Sequence, residues 1–278
     1  MFNPQAGSHQ LAWMRNLNAR LVELGARVIL QESSPHAPIA IDPSADQICA
    51  MGGDGTLRHV AAAVARSGRN VPISVYPAGT INLVHREMGT PVDLSTFALA
   101  LVHGTDWREH YTVALNDTLF LACASCGPDS RAVARVAPGS KRWMGRLAYA
   151  AAMVRLIFDW QRPEILLRHD GEQIACEAFY VAKGRYFAGP WSFAPAACLS
   201  QPSLRVIALR RARRRDYLRF MWTVWRGMPL EGWSNAVVFD CSRLEADGDR
   251  SMPVQADGDI VGKLPAMISI NPRSLRFC

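Results

Sequence analysis

Residues 48–66, ICAMGGDGTLRHVAAAVAR, decide how the first part of the chain folds. A short apolar strand is predicted over 47–51 and a helix over 57–66, with Gly52-Gly53-Asp54-Gly55-Thr56 between them. Three glycines in four residues leave the backbone without Cβ atoms, so a phosphate chain can approach the amide N–H groups. The N-terminus of the following helix favours an anion at the same place. Asp54 would repel phosphate, which suits it to holding Mg²⁺ or orienting nucleotide groups.

An ordinary glycine-rich turn is the alternative interpretation of this loop. The chain contains neither G-x-x-x-x-G-K-[ST] nor G-x-G-x-x-G, the loops of P-loop NTPases and Rossmann dehydrogenases. The sequence therefore argues against both of these nucleotide-binding classes.

A second turn of the same kind lies at 76–82, YPAGTIN, between another predicted strand and helix. Gly79 permits a tight turn, and Thr80 and Asn82 offer short polar groups at a helix start. A simple helix cap is the alternative. Because the carboxyl ends of parallel strands meet at one sheet edge, we expect both turns there, where α/β folds bind ligands.

A third element is Asp257-Gly258-Asp259. Two carboxylates around a glycine can supply a general base or bind a metal ion, and held close together they would raise the pKa of one of them. A surface Asp-Gly turn is the alternative for this segment taken alone.

The order of the predicted elements indicates two domains. In the first hundred residues short strands, including 26–30 and 71–76, alternate with helices, one of them starting near Ser8, which predicts a parallel sheet with helices on its faces. After about Asp106, turns such as Asp170-Gly171 predict hairpins and a mainly antiparallel domain. Its predicted strands are 107–113, 118–122, 165–169, 173–181, 204–209 and 236–240, and its predicted helices are 143–159 and 213–226.

The composition restricts the classes of partner and the location that the protein can have. The chain has 278 residues, 49% hydrophobic and 20% charged, with a net charge of +7 that attracts anionic partners. Seven scattered cysteines indicate a reducing compartment, and the single C-x-x-C at 123–126 lacks the second pair of a zinc site. No signal peptide is visible and no apolar run reaches the roughly 18 residues of a membrane span, so we expect a soluble or peripheral protein.

Taken in order, these motifs resemble the diacylglycerol kinase catalytic family, which includes bacterial lipid kinases and sphingosine and ceramide kinases and is related to NAD kinases and phosphofructokinases. The matching segments are Asn3-Pro4-Gln5-Ala6-Gly7 (N-P-x-x-G), 52–57 (G-G-D-G-T-[LIV]), 77–82 (P-x-G-T-x-N), 141–149 and 254–259, the last resembling a late D-G-E motif.

The resemblance implies a NAD-kinase/phosphofructokinase-like α/β nucleotide domain, 1–105 with a return at 267–278, and a mainly antiparallel β-sandwich domain for the lipid substrate, 106–266. It implies ATP and Mg²⁺ as cofactors and transfer of the γ-phosphoryl group to a lipid hydroxyl, diacylglycerol-like or of a sphingoid or ceramide. Asp257 and Asp259 fall at the catalytic positions, and which of them takes the proton stays open. The implied nucleotide-binding residues are Asn3, Pro4, Gly7, Gly52, Gly53, Asp54, Gly55, Thr56, Leu57, Gly79, Thr80 and Asn82.

The chain departs from the family pattern at four places. Asp259 replaces a Glu, and Asn82-Leu83 stands where many members have N-D. Gln201-Pro202 replaces an Asp-Gly whose Asp helps to bind a structural Mg²⁺, so Gln201 marks an altered metal position beside the Mg²⁺ expected at Asp54. Only Met1 and Phe2 precede N-P-x-x-G, which predicts either a start further upstream or a lost first strand.

Arginines and aromatic residues cluster over 210–233, a composition that suits a membrane interface with anionic phospholipid. A smaller group lies at Lys141, Arg142, Trp143 and Arg146. We therefore expect a cytoplasmic protein, peripheral on the inner face of the membrane, where it meets its lipid substrate. An amphipathic helix with buried aromatics is the alternative, and no nucleic-acid motif is present.

Two other functions stay open at this stage. One is a soluble-metabolite kinase of NAD-kinase type, and the other is a non-catalytic lipid- or nucleotide-binding pseudokinase, to which the altered Gln201 and Asp259 point. A homodimer is also considered.

Overall fold

The computed structural model describes residues 1–2, 8–33, 39–79, 81–104, 106–135 and 160–278. The chain forms two compact units. Unit 1 comprises Met1–His110 and Arg273–Cys278, and unit 2 comprises Tyr111–Pro272. The chain therefore leaves unit 1 and returns to it with its final strand.

Unit 1 is built on parallel strands. Its elements are α1 (Ser8–Glu23), β1 (Ile48–Gly52), α2 (Asp54–Ser67), β2 (Ile73–Pro77), α3 (Leu83–Met88), α4 (Leu94–His103), the start of β3 (Arg108–Leu115) and the end of β14 (Ala266–Phe277). β1 and β2 pair in parallel from Ile48 with Ile73 to Gly52 with Pro77. The end of β14 adds to β2 in the same direction, through Phe277 and Ile73.

The helix α2 forms because its apolar residues recur at helical spacing. Leu57, Val60, Ala61 and Val64 are all buried, as expected of the core-facing stripe of a helix. The helix ends where Gly68 adopts the left-handed conformation, with φ 67°. The glycine loop is thus held between two buried elements, β1 and α2.

Unit 2 is a sandwich of two antiparallel sheets. One sheet has six strands in the order β10-β9-β8-β5-β12-β13, and in the other β14, β11, β6 and β7 pair in that order. Side chains of both sheets, such as Leu167 and Val181, form one core. Beyond the start of β14 and the end of β3, its elements are β4 (Thr118–Phe120), β5 (Cys123–Cys126), α5 (Pro128–Arg135), β6 (Ile165–His169), β7 (Glu172–Cys176), β8 (Ala178–Ala182), β9 (Leu204–Leu209), α6 (Arg214–Arg226), β10 (Ala236–Cys241), β11 (Arg243–Gly248), β12 (Pro253–Ala256) and β13 (Asp259–Lys263).

The predicted fold class is confirmed, with two corrections to single elements. The stretch 26–30 is not a strand, and Ile29 and Leu30 are 43% and 52% exposed. The run 173–181 is two strands, because the chain passes from one sheet to the other at Glu177. The predicted helix 143–159 and the basic group at 141–146 lie outside the described residues.

Candidate active site

The two glycine turns of unit 1 lie against each other. β1 and β2 end at the same level, and the Ala78 N–H donates to the Gly52 carbonyl at 3.0 Å. Just beyond, the backbones of Gly53 and Gly79 touch: a Cβ on Gly53 would lie 3.2 Å from Gly79 Cα. A Cβ on Gly79 would collide with Gly53 Cα and come within 2.7 Å of the Asn82 side-chain oxygen. Glycine at position 79 is therefore required by the packing of one turn on the other.

The helix α2 begins at these turns. Its N-cap, Gly53, is extended and provides no side chain to cap the amides of the first turn. Asp54, Gly55, Thr56 and Leu57 form that first turn, with Thr56 and Leu57 buried. Amides at a helix N-terminus carry partial positive charge and bind anions, and phosphate is the anion that such strand–glycine–helix turns commonly hold.

Asp54 and Asn82 join the turns. The Asp54 carboxylate accepts a hydrogen bond from the N–H of Leu83 at 2.7 Å, at the start of α3. Asn82 has φ 54°, and its side chain bonds both the N–H and the carbonyl of Gly79, at 3.0 and 2.8 Å. The side chain of Asp54 is thus part of the architecture of the site as well as a candidate ligand.

Protein ligands for a metal ion are few in the described part of the chain, where no group of three His, Cys, Asp or Glu side chains could hold one. Mg²⁺ that arrives with a nucleotide takes most of its ligands from phosphate oxygens and water, and needs only one or two carboxylates. Asp54 beside the glycine turns fits that need. The expected residues Asn3, Pro4, Gly7 and Thr80 lie outside the described residues.

In unit 2, Asp257 and Gly258 form the turn of the hairpin between β12 and β13, with φ 48° and 84°. The Asp257 carboxylate is buried and accepts three backbone N–H groups: Leu121 at 2.8 Å, Ala122 at 2.9 Å and Cys123 at 3.1 Å. Asp257 therefore connects the turn to residues 121–123, at the start of β5. Asp259, at the start of β13, is only partly buried.

A buried polar chain supports the same turn, and sequence reasoning missed it. The Gly258 N–H donates to the Gln255 side chain at 3.0 Å, and the Gln255 amide donates to the Ser125 hydroxyl at 2.7 Å. The Ser125 hydroxyl in turn donates to Asp129. The only sequence signal was a polar residue inside each apolar run, Ser125 in 123–126 and Gln255 in 253–256.

Burial changes the acidity of this chain. Loss of hydration raises the pKa of Asp129 to about 6. Burial and the charge of Asp129 raise the pKa of Tyr180 and Tyr217, whose hydroxyls are enclosed in the core. Asp129 thus changes its charge near pH 6. Hydrogen bonds through Ser125 and Gln255 connect it to Gly258 in the hairpin turn.

The altered metal position at Gln201 does not fit Mg²⁺. Gln201 is exposed and carries no charge, and its carbonyl accepts a hydrogen bond from the Lys183 ammonium at 2.7 Å. A divalent ion needs about six oxygen ligands at roughly 2.1 Å. At this carbonyl it would face the Lys183 ammonium instead of a carboxylate.

The helix α6 divides its aromatic residues between the core and the surface. Tyr217 and Phe220 are buried, whereas Leu218, Trp222 and Trp225 are 63%, 56% and 51% exposed. These three recur at i, i+4 and i+7, and so lie on one helix face. The flanking arginines Arg214, Arg215, Arg219 and Arg226 are exposed. None of the described helices combines the length and the apolar character that a membrane span requires.

A parallel α/β unit and an antiparallel sandwich unit define a two-part fold of the NAD-kinase-like class. The comparisons identify the family. The model "Diacylglycerol kinase catalytic domain" matches residues 1–110, and "YegS C-terminal NAD kinase beta sandwich-like domain" matches residues 122–278. The chain belongs to this diacylglycerol kinase family of lipid kinases.

Among its relatives, "Probable lipid kinase YegS-like" of Pseudomonas aeruginosa is 34% identical over 91% of this chain and 84% of that protein. A diacylglycerol kinase of Bacillus subtilis is 24% identical over 79% of this chain and 73% of its own. The crystal structure of a diacylglycerol kinase from Bacillus anthracis superposes with a TM-score of 0.73, at 16% identity, over 99% of this chain and 94% of that one. The last likeness shows the fold.

Proposed function

We propose that the chain is an ATP-dependent lipid kinase, which transfers the γ-phosphoryl group of ATP to a hydroxyl of diacylglycerol or of a similarly built lipid such as a sphingoid or ceramide. The observation that carries the proposal is the contact of Gly53 with Gly79 at the N-terminus of α2. Two Cβ-free turns let the phosphates of ATP approach the N-terminus of α2, where the helix favours an anion. Family membership supplies the class of reaction.

In this proposal unit 1 binds the nucleotide. The N-terminus of α2 holds the phosphates, which the glycines at 53 and 79 allow to come close, and Asp54 contributes one carboxylate to the Mg²⁺ that ATP carries. Phosphoryl transfer needs positioning and charge neutralisation more than covalent help from the protein. The geometry of the two turns supports that requirement.

Unit 2 supplies the carboxylates for the acceptor. Asp257 already accepts three N–H groups, so it would take a proton only by giving up one of these bonds. Asp259 is partly exposed on the same hairpin. We infer that Asp259 takes the proton of the lipid hydroxyl and that Asp257 keeps the hairpin in place.

The lipid is reached from a membrane surface. The exposed side chains of Leu218, Trp222 and Trp225 give α6 an apolar face, and the arginines beside it are complementary to anionic headgroups. We propose that this face docks on the inner leaflet of the membrane, where ATP is available. The expected homodimer is a separate proposal, which sedimentation of the purified protein tests.

A radiolabelled-ATP assay tests the function against vesicles that contain diacylglycerol, a sphingoid base or ceramide, with NAD as a soluble acceptor. Gly79→Ala fills the contact between the turns and should lower turnover by about 10²-fold or more, on the scale of misplaced substrates. Gly262→Ala is the matched control, because a Cβ there meets nothing within 4 Å. Phosphorylation of NAD alone, or turnover by Gly79→Ala at the parent rate, would contradict the proposal.

A further inference from the structure

Lys183 is fully buried, which is unusual for a lysine. It is one of three lysines in the sequence and is 0% exposed, immediately after β8. Its backbone is held as well, since the N–H groups of Lys183 and Gly184 donate to the Ala122 carbonyl at 2.8 and 3.0 Å. Lysine is almost never fully buried unless its charge is matched.

The ammonium lies in a turn of backbone carbonyls. Lys183 Nζ donates to the carbonyls of Cys198 and Gln201, at 2.8 and 2.7 Å. The turn is closed by the Gln201 N–H on the Cys198 carbonyl at 3.2 Å. The Leu199 carbonyl, inside the turn, accepts the N–H of Tyr111 at 3.0 Å. The turn 198–201 therefore directs carbonyl oxygens at one internal cation.

Backbone carbonyls are also ligands of hard metal ions in proteins. A metal ion needs carboxylates to balance its second charge, and the position that would supply one is the uncharged Gln201. An ammonium needs only hydrogen-bond acceptors for its three donors. We propose that Lys183 is a built-in cation, which organises the turn 198–201 in place of a divalent metal ion and makes the stability of unit 2 independent of metal.

The same lysine supports the candidate catalytic hairpin. The carbonyl of Ala122 accepts the N–H of Lys183, while the N–H of Ala122 donates to Asp257. One peptide segment thus joins the turn 198–201, through Lys183, to the carboxylate that holds the hairpin. The inference goes beyond the kinase proposal, since it concerns the folded chain without nucleotide or lipid.

Thermal unfolding of the full chain without nucleotide tests it in EDTA and in Mg²⁺. The parent should unfold at the same Tm in both. Lys183→Met removes both hydrogen bonds of the ammonium and should lower the Tm by about 4 °C or more, whereas the exposed control Lys263→Met should not. Gln201→Asp adds the missing carboxylate, and its Tm should still be the same in EDTA and in Mg²⁺. A parent Tm that rises in Mg²⁺, and rises further in Gln201→Asp, would overturn the proposal.

Reductive methylation followed by mass spectrometry tests the burial directly in the parent protein, even if Lys183→Met does not fold. In metal-free buffer, Lys183 should be modified at least tenfold more slowly than the exposed Lys263, on the order expected for a closed core site. Modification of the two lysines at equal rates would show an accessible ammonium, and the proposal would be rejected.

Discussion

The Asp54 carboxylate accepts a hydrogen bond from the Leu83 N–H at 2.7 Å, so the first residue of α2 holds the first residue of α3. The two helices begin just after the two glycine turns. This bond fixes the spacing of the turns from each other, independently of any bound ligand.

Asp54→Ala is expected to remove both this bond and the carboxylate proposed for Mg²⁺. Lipid kinase activity should fall by about 10²-fold or more, the usual scale for the loss of a group that stabilises transferred charge. Steady-state turnover with saturating lipid measures it. Asp93→Ala is the control, since Asp93 caps α4 through Thr96 at 2.9 Å and its loss costs stability without touching the glycine turns. Equal activity losses in the two variants would point to stability alone.

Replacement of the two hairpin carboxylates should separate their roles. Asp257→Asn places an amide before three N–H groups, so it should lower both the Tm and kcat. Asp259→Asn should leave the Tm nearly unchanged and lower kcat by about 10²-fold. Asp259→Glu should keep activity or raise it. If both Asn variants turn over lipid at the parent rate, the proton acceptor lies elsewhere.

Vesicle binding should depend on the exposed face of α6. Reversal of Arg214 and Arg215 to Glu should weaken sedimentation with anionic vesicles by at least about tenfold, because each cation near such a surface contributes about 1 kcal/mol. Trp222→Ala should weaken binding to neutral vesicles too. Arg250→Glu, an exposed reversal elsewhere on unit 2, is the control. If vesicle sedimentation does not change with added salt or with both charge reversals, α6 is a surface helix without a membrane role.

Asp129 should make stability depend on pH. Its pKa rises from 3.8 to about 6 on folding, so the folded state holds the proton more tightly. Its contribution is therefore present below about pH 4 and is lost as the pH rises to about 6, which amounts to about 3 kcal/mol for two units. Asp129→Asn should remove this decline. Urea unfolding of parent and variant from pH 4 to 8 measures the difference, which would stay constant if Asp129 did not titrate in this range.

The sequence predicted the fold class because each strand–glycine–helix passage is local. The burial stripe of α2 and the hairpin at Asp170-Gly171 needed only neighbouring residues. The failure at 26–30 had a different cause. Its apolar residues read as a strand, but a strand exists only with a partner, and the described bridges of Phe2 join Met51 and Glu32, outside that stretch.

The site was predictable to the extent that its chemistry resides in short motifs. Gly53 and Gly79 were found by pattern, but their contact depends on β1 and β2 lying side by side. Lys183 and Asp129 carried no motif. Their roles come from acceptors 15 and 18 residues away for Lys183 and from burial for Asp129, neither of which is visible along the chain.

The strand β14 returns residues 273–278 to unit 1, where Phe277 pairs with Ile73 and the Cys278 N–H donates to the Ile73 carbonyl at 3.1 Å. A ribosome makes these residues only after the whole of unit 2, at about 5–20 residues per second. The edge of β2 in unit 1 must therefore stay unpaired while unit 2 is translated. We expect chaperones that bind unpaired strand edges to act on the chain during that interval. A chain truncated inside β14 would leave the edge of β2 permanently exposed.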